Sequence, residues 1–248
     1  MLPRDDDPAT AILYGWHTVK AALENPARRI RRLYATENAA QRLRAELAPQ
    51  LVARQLEIVR PDAIAARLAA DAVHQGLLAE ADPLPSPALD ELPPEGTVLV
   101  LDQITDPHNV GAILRSAVAF GARAVITTAR HSPEATGALA KSASGALEHV
   151  SMVTVQNLAR ALQALKDRGF LVVGLDSDGT DDLAAVPLRL PLAIVLGAEG
   201  KGLRQLTRVT CHTVARLDLP GVIKSLNVSN AAALALYVAT RAADCSTS

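Results

Sequence analysis

The chain has little cysteine, no long apolar run and no surplus of either charge, and each shortage removes a class of protein. Two cysteines among 248 residues, Cys211 and Cys245, are too few for a disulfide framework and share no metal-ligand spacing. No metal is expected, and a reducing compartment fits the free thiols. No stretch of about 18 uncharged apolar residues occurs, so no membrane span is expected. The opening "MLPRDDDPATAILYG" is acidic where an export signal is basic and then apolar, which points to the cytoplasm. The 25 lysines and arginines against 26 acids give a net charge of −1, so a nucleic-acid surface would have to be a local patch. Internal repeats and low-complexity tracts are missing too. What remains is a chain with 49% hydrophobic residues, enough to fill ordinary globular cores.

The stretch "DPLPSPALDELPPEG", residues 82–96, holds five of the 15 prolines and no periodic apolar pattern. We place the linker at residues 85–96, between a small domain over 1–84 and a larger one over 97–248. In the small domain "HTVKAALEN" and "TENAAQRLRAELAPQLVARQ" have helical spacing, while "IRRLYAT", "LEIVRP" and "QGLLAEADP" are short strand-like segments, so the class is α/β. Its charges balance, with 11 basic and 11 acidic residues between Met1 and Pro85. Four arginines nevertheless crowd into "ARRIRRLYA": Arg28, Arg29, Arg31 and Arg32. They form either an RNA-phosphate patch or a solvated loop and strand edge.

Beyond the linker, strand and helix alternate: "GTVLVLD" then Val110 to Phe120, "RAVITTA" then "ATGALAKSASGAL", "VSMVTV" then "NLARALQALKDRG". The pattern continues through "FLVVGLDS", "LPLAIVLG", "GLRQLTRV", "VARLDLP" and "SNAAALALYVATRAADC". Strands as continuously apolar as Ala193 to Leu196 are buried on both faces, so the sheet should be mostly parallel with helices on both sides. Ligands of such sheets sit at the carboxyl ends of strands, which singles out the loops at 102–109, 197–202 and 217–227.

In the first loop and its helix, Arg115 is the lone charge among Val110, Ala112, Ile113, Leu114, Ala117, Val118 and Phe120. Its neighbours one turn away are Gly111, Ala112 and Ala119, so its guanidinium can lean back towards the loop. It either pairs with Asp102 or Asp106 to close the helix start, or serves a ligand. Asn109 suits an N-cap or a site residue, and His108 reads as a turn residue. The second loop carries Gly197, Gly200 and Gly202 around Glu199, yet matches neither a dinucleotide fingerprint nor a P-loop, because glycine follows Lys201. Glu199 could cap the next helix. The third loop places Ser225, Asn227, Ser229 and Asn230 before a helix, more polar groups than one N-cap needs. Leu217, Leu219 and Leu226 beside them line either a pocket for a flat heterocycle or ordinary core.

Together "DPHNVGAILRSAVAFGA", "IVLGAEGKGL" and "LPGVIKSLNVSNAAALALY" resemble, in order and separation, the three motifs of the SpoU-type (TrmH-like) RNA ribose 2′-O-methyltransferases of the SPOUT class. The intervening "KSASGALEHV" is similar to a stretch of the same family, and "ILYGWHTVKAALEN" with "HQGLLAE" resemble the small N-terminal domain of its 23S rRNA branch. The resemblance covers nearly the whole chain. It implies an N-terminal α/β substrate-binding domain of ribosomal-protein type and a C-terminal trefoil knot, which general topology rules alone would have argued against. It further implies a homodimer that binds S-adenosylmethionine and modifies RNA. By carry-over, Gly197, Leu217, Leu219 and Leu226 would contact the cofactor. Asn109, Arg115, Glu199, Ser225 and Asn227 would form the catalytic cluster. One position departs from the pattern: Asp218 stands where a proline is expected. The expected substrate is a guanosine of 23S rRNA. A tRNA guanosine is the alternative, since tRNA-modifying members share the motifs, and a non-catalytic RNA-binding or ribosome-assembly protein is a third reading.

Overall fold

The computed structural model describes residues 10–52, 56–130 and 137–246. It divides into two compact units, Met1–Pro85 with Glu134–Glu148, and Ser86–Pro133 with His149–Ser248.

The first unit begins β1 (Ala11–Tyr14), α1 (Trp16–Glu24), β2 (Ile30–Ala35), α2 (Glu37–Glu46), α3 (Pro49–Val52), β3 (Leu56–Ile58), α4 (Pro61–Ala65), β4 (Leu77–Ala81). The strands form one sheet in the order β1-β4-β2-β3, antiparallel except for β2 and β3. Helix α1 buries Trp16, Val19, Ala22 and Leu23, three or four residues apart, against Leu13, Leu33 and Leu77 on one sheet face. Tyr34, Ile64 and Leu78 fill the other. The predicted long helix "TENAAQRLRAELAPQLVARQ" is two: α2 ends at Glu46 and Pro49 opens α3, because proline starts a helix readily but cannot continue one. Its last three residues lie outside the described ones.

The second unit contains β5 (Thr97–Asp102), α5 (Pro107–Ala119) and β6 (Ala124–Thr128). Next in the chain is α6 (Gly137–Ala143), which belongs to the first unit. The second unit resumes with β7 (Ser151–Val155), α7 (Leu158–Asp167), β8 (Leu171–Leu175), β9 (Asp181–Asp182), β10 (Leu192–Gly197), α8 (Gln205–Thr210), β11 (Thr213–Arg216) and α9 (Val228–Ser246). Its sheet order is β7-β6-β5-β10-β8-β11-β9, with every pairing parallel. Val98, Val100, Val172, Ala193 and Val195 face a core shared with Leu158, Leu162 and Leu165 of α7. The alternate residues Leu99, Leu101, Ile194 and Leu196 are equally buried, on the face where α5 and α9 pack. Each such leucine or isoleucine stabilises the fold by roughly 1.5–3 kcal/mol. The expected parallel sheet with helices on both sides is what the residues build.

Two expectations change. From Ser86 onward the proline-rich stretch is seated on the second unit: Ser86 Oγ donates to the Met152 carbonyl at 2.9 Å, Arg168 donates to the Leu89 and Leu92 carbonyls, and Leu92 is buried. The arginine cluster also divides. Arg28 is not part of an exposed patch: its side chain is 4% exposed and forks onto Glu148, itself 2% exposed, with Nη2 to Oε1 at 2.6 Å. Asn25 Nδ2 completes that carboxylate at 2.8 Å, and Arg28 Nη1 donates to the Asp82 carbonyl at 2.8 Å. A phosphate has no access to such a guanidinium. Arg29, Arg31 and Arg32 do reach the surface, with Asp82 beside the first two and Glu80 beside the third. Those carboxylates offset part of their charge.

Cys211 follows α8 with its Sγ donating to the Thr207 carbonyl at 3.3 Å, under β8, where a Cβ on Gly174 would lie 3.1 Å from the sulfur. Burial pushes its thiol up to about 12. Since the thiolate is the nucleophile, Cys211 should stay unmodified by maleimide at pH 7.5 and react only when denaturant is added. Peptide mapping by mass spectrometry reads this out; labelling of the native protein within minutes would contradict it.

Candidate functional site

The strand order reverses between β5 and β10, whose last residues Asp102 and Gly197 are register partners. Such a switch point leaves a crevice at the carboxyl ends, and the loops after β10 and β11 descend into it. Asp102, 1% exposed, accepts from Arg204 N at 3.0 Å and Arg204 Nε at 2.6 Å, which ties the end of the 198–204 loop to β5. Asp102 is therefore spent on Arg204, not on Arg115. Asp176, at the end of β8, accepts from Leu203 N at 2.9 Å and faces Arg208 Nη1 at 3.1 Å. Between them the loop is pinned so tightly that a Cβ on Gly197 would meet the Gly202 backbone at 2.3 Å. The bridge between Ala198 and Gly202 closes the turn.

The result is a cleft of about 420 Å³ walled by Leu196–Leu203 on one side, Leu217, Leu219 and Lys224–Leu226 on another, and Leu175–Asp178 on a third. That size falls in the usual range for small-molecule sites, roughly 300–1,000 Å³. Gly197, Leu217, Leu219, Leu226, Glu199 and Ser225 all line it, so the leucines are not ordinary core. Lys224 Nζ donates to the Leu219 carbonyl at 2.5 Å across the base of the 219–224 turn.

At the lip, three polar side chains from distant parts of the chain meet. Asn227 Nδ2 donates to Glu199 Oε1 at 2.6 Å and to Asn109 Oδ1 at 3.0 Å. Its Oδ1 accepts from Ser229 N at 2.9 Å and Ser229 Oγ at 2.5 Å, so Asn227 also caps α9. Glu199 Oε1 takes a further bond from Val228 N at 3.2 Å, placing a carboxylate at that helix start. Two alternatives that the sequence leaves open close here. Asn109 is not an N-cap: Asp106 is, accepting from His108 N at 3.1 Å with Pro107 as the first helical residue. Nor does Glu199 cap α8, which begins after Arg204 with no side-chain cap. Both are thereby left for Asn227.

Arg115 stands apart. It is exposed on α5, with no hydrogen bond or ion pair to any described residue, and it is not among the cleft-lining groups. The acids Asp176 and Asp178, in contrast, line the cleft although the sequence reading passed them over. The strand-end rule could have found them, because "FLVVGLDS" is a buried parallel strand ending in a polar turn like the others. Among the described residues no group of acids, histidines and cysteines could hold a metal ion, and no helix is long and apolar enough to cross a membrane.

A parallel α/β unit with a leucine- and glycine-lined cleft at its switch point has close counterparts. Residues 96–237 match the SpoU rRNA Methylase family, and residues 12–87 match the RNA 2′-O ribose methyltransferase substrate binding family. The chain belongs to the SpoU rRNA methylase family. Two curated relatives, each named 23S rRNA (guanosine-2′-O-)-methyltransferase RlmB, are 40% identical: that of Ralstonia nicotianae over 93% of this chain and 95% of its own, and that of a Burkholderia species over 94% and 97%. Among solved structures, a putative RNA methyltransferase of the TrmH family from Porphyromonas gingivalis superposes with a TM-score of 0.78 at 28% identity, covering 94% of this chain and 90% of that one.

Proposed function

We propose that the protein transfers a methyl group from S-adenosylmethionine to the ribose 2′-hydroxyl of a guanosine in 23S rRNA. The observation that carries this reading is the Asn109–Asn227–Glu199 junction at the lip of a leucine-lined cleft at the sheet's carboxyl edge. The cleft fits the cofactor chemically. Leu217, Leu219 and Leu226 offer apolar walls to a flat purine, the loop backbone offers amides and carbonyls, and Asp178 and Glu199 bring negative charge near a cationic donor. When bound, the cofactor supplies an electrophilic methyl group.

The chain's own residues then align and deprotonate. Ser225 and Asn227 shape the mouth where the methyl group meets the ribose oxygen, so that the displacement is in line. Asn109 and Glu199 hold Asn227 with both amide hydrogens engaged. Arg115 polarises the 2′-hydroxyl and holds the adjacent phosphate through its planar fork, and the proton leaves late, to that phosphate or to water. Because Arg115 does not touch this junction within one chain, the reading includes a homodimer in which a second copy completes each site. Leu234 and Tyr237 support it, 43% and 54% exposed on the α9 face beside α5, with Tyr237 edge-on to Phe120. It also includes a trefoil knot in the C-terminal domain, the proposed domain roles for residues 1–84 and 97–248, a phosphate surface at Arg29, Arg31 and Arg32, and a cytoplasmic location.

Gly202→Ala tests the cleft. Gly202 has φ +63°, and a Cβ there would sit 2.5 Å from Asp176 Oδ2. The left-handed backbone alone costs an alanine roughly 1–2 kcal/mol, and displacing Asp176 releases Leu203. Calorimetric titration should show weakened S-adenosylmethionine binding; wild-type affinity would mean that the loop does not shape the site. The function itself is tested by mapping ribose methylation in total RNA with and without the gene. A guanosine mark lost from 23S rRNA is expected. A mark lost from tRNA alone would transfer the activity to that substrate, and no tritium transfer from labelled cofactor to any RNA would leave a binding protein.

A further inference from the structure

The first unit holds a second pocket, about 360 Å³, between the start of α2 and the turn at His74–Gly76. Trp16 lines it, 5% exposed, with the Arg42 guanidinium stacked 3.7 Å above its ring centroid. The Trp16 backbone N–H is satisfied by Gln75 Oε1 at 2.9 Å, but its indole N–H has no acceptor among the described residues. That indole nitrogen is not sealed in the core: among the described residues, the fully enclosed side-chain polar atoms without a partner are Thr127 and Thr128 Oγ1. With no acceptor among the described residues and with access from outside, that N–H is free to donate to a group that enters the pocket.

The opposite wall is the open end of α2. Thr36 precedes the helix without a side-chain cap, and the first helical bond runs from Ala40 N to Thr36 O at 2.8 Å. The N–H groups of Glu37, Asn38 and Ala39 are thus left for another acceptor, and an anion is favoured there. The third wall is held rigidly. Gln75 and Gly76 both have positive φ, 53° and 77°, and a Cβ on Gly76 would lie 2.4 Å from Thr36 Oγ1. Gln75 Oε1 is clamped further by Lys141 Nζ at 2.8 Å. A left-handed glutamine costs roughly 1–3 kcal/mol, and such strain concentrates at sites that need a fixed shape.

We propose that this pocket receives one unstacked nucleotide of the RNA, its phosphate on the open N–H groups of α2 and its base stacked on the outer face of Arg42 over Trp16. Asn38 and His74 then read the edge of the base, with the Trp16 indole N–H as a further donor. This rests on the reading that the protein acts on RNA, and adds where outside the cleft the first unit grips it. Planar guanidinium and aromatic surfaces take any base by stacking, so single-stranded segments should be preferred to duplex.

Trp16 is the only tryptophan of the chain, so its emission reports on the pocket directly. Full-length protein is titrated with a short mixed-sequence single-stranded RNA, following Trp16 fluorescence and, in parallel, the anisotropy of a 5′-labelled copy. A saturable change in Trp16 emission is expected at the concentration where anisotropy rises, and a smaller one with duplex RNA of equal length. Asn38→Asp should weaken binding roughly tenfold, about the loss of one nucleotide contact, and raise KM for RNA while kcat at saturating RNA stays near wild type. An acid in the first turn favours the helix, so a structural role for Asn38 would not predict that loss. Arg42→Ala serves as the second variant, with Arg160→Ala, on α7 of the other unit, as the control. RNA that binds and is methylated while Trp16 emission is silent and Asn38→Asp behaves as wild type would overturn the pocket and leave the methyltransferase intact. RNA that neither binds nor is methylated would sink both.

Discussion

Arg115→Lys should lower turnover by about 10²–10³-fold, the usual loss when one preorganised donor is removed from a transition state, with S-adenosylmethionine affinity unchanged. Lysine keeps the charge but not the planar fork that can engage a hydroxyl and a phosphate together. Unchanged affinity follows because Arg115 does not line the cleft. Single-turnover methyl transfer and calorimetric cofactor binding separate the two effects, and near-normal turnover would remove Arg115 from the mechanism. A mixing experiment then asks where Arg115 works. Chains carrying Arg115→Ala and chains carrying Glu199→Ala, each inactive alone, are refolded or co-expressed together. If each site takes Arg115 from a second copy, activity returns to about a quarter of wild type, since half of the randomly paired dimers hold one intact site of two. No recovery would place Arg115 and Glu199 of one chain in the same site.

The largest effect on stability is expected at the Arg28–Glu148 pair. Removing one partner of a buried ion pair leaves an uncompensated charge and typically costs about 3–5 kcal/mol. Glu148→Gln keeps the shape and one acceptor yet deserts the Arg28 guanidinium and the Asn25 amide. For a unit near 100 residues that loss should lower the unfolding midpoint by about 10 °C or more. Trp16 emission follows the melting of the first unit, and a shift below about 2 °C would show that the pair is not buried in solution. The double change Arg28→Met with Glu148→Leu should recover much of the loss, because well-packed apolar replacements of buried pairs are often neutral.

The second unit was legible in the sequence wherever burial dictated residue type. β5, β8 and β10 are continuous apolar strands, and the strand-end rule led to the loops that line the cleft. What could not be read were choices among equivalent polar groups. Asp106 and Asn109 are both competent N-caps. Pro107 decides between them, because its fixed φ suits the first helical position and puts Asp106 one residue before it. Glu199 was ambiguous for the same reason: a carboxylate favours any helix start, and only the fold shows that the start it serves is α9. The four arginines of "ARRIRRLYA" look alike in sequence, and what sets Arg28 apart is Glu148, 120 residues away. β1 was missed because four residues, the first two half-buried and the last two buried, carry little pattern until β4 lies beside them. Arg115 was conspicuous as a lone charge, but its position on α5 does not by itself reveal what it meets.

The return of Gly137–Glu148 to the first unit means that this unit is not written in one piece. Ala140 lies in its core, and Glu148 answers Arg28. A ribosome that has released residue 85 has therefore not yet supplied what the N-terminal unit needs, and at about 5–20 residues per second the missing part arrives several seconds later. β5 and β6 must emerge in the interval. The early chain waits with an unanswered arginine while the first strands of its neighbour are made, so the two units cannot mature as successive, independent beads. A fragment cut at the proline-rich stretch would carry the same deficit permanently.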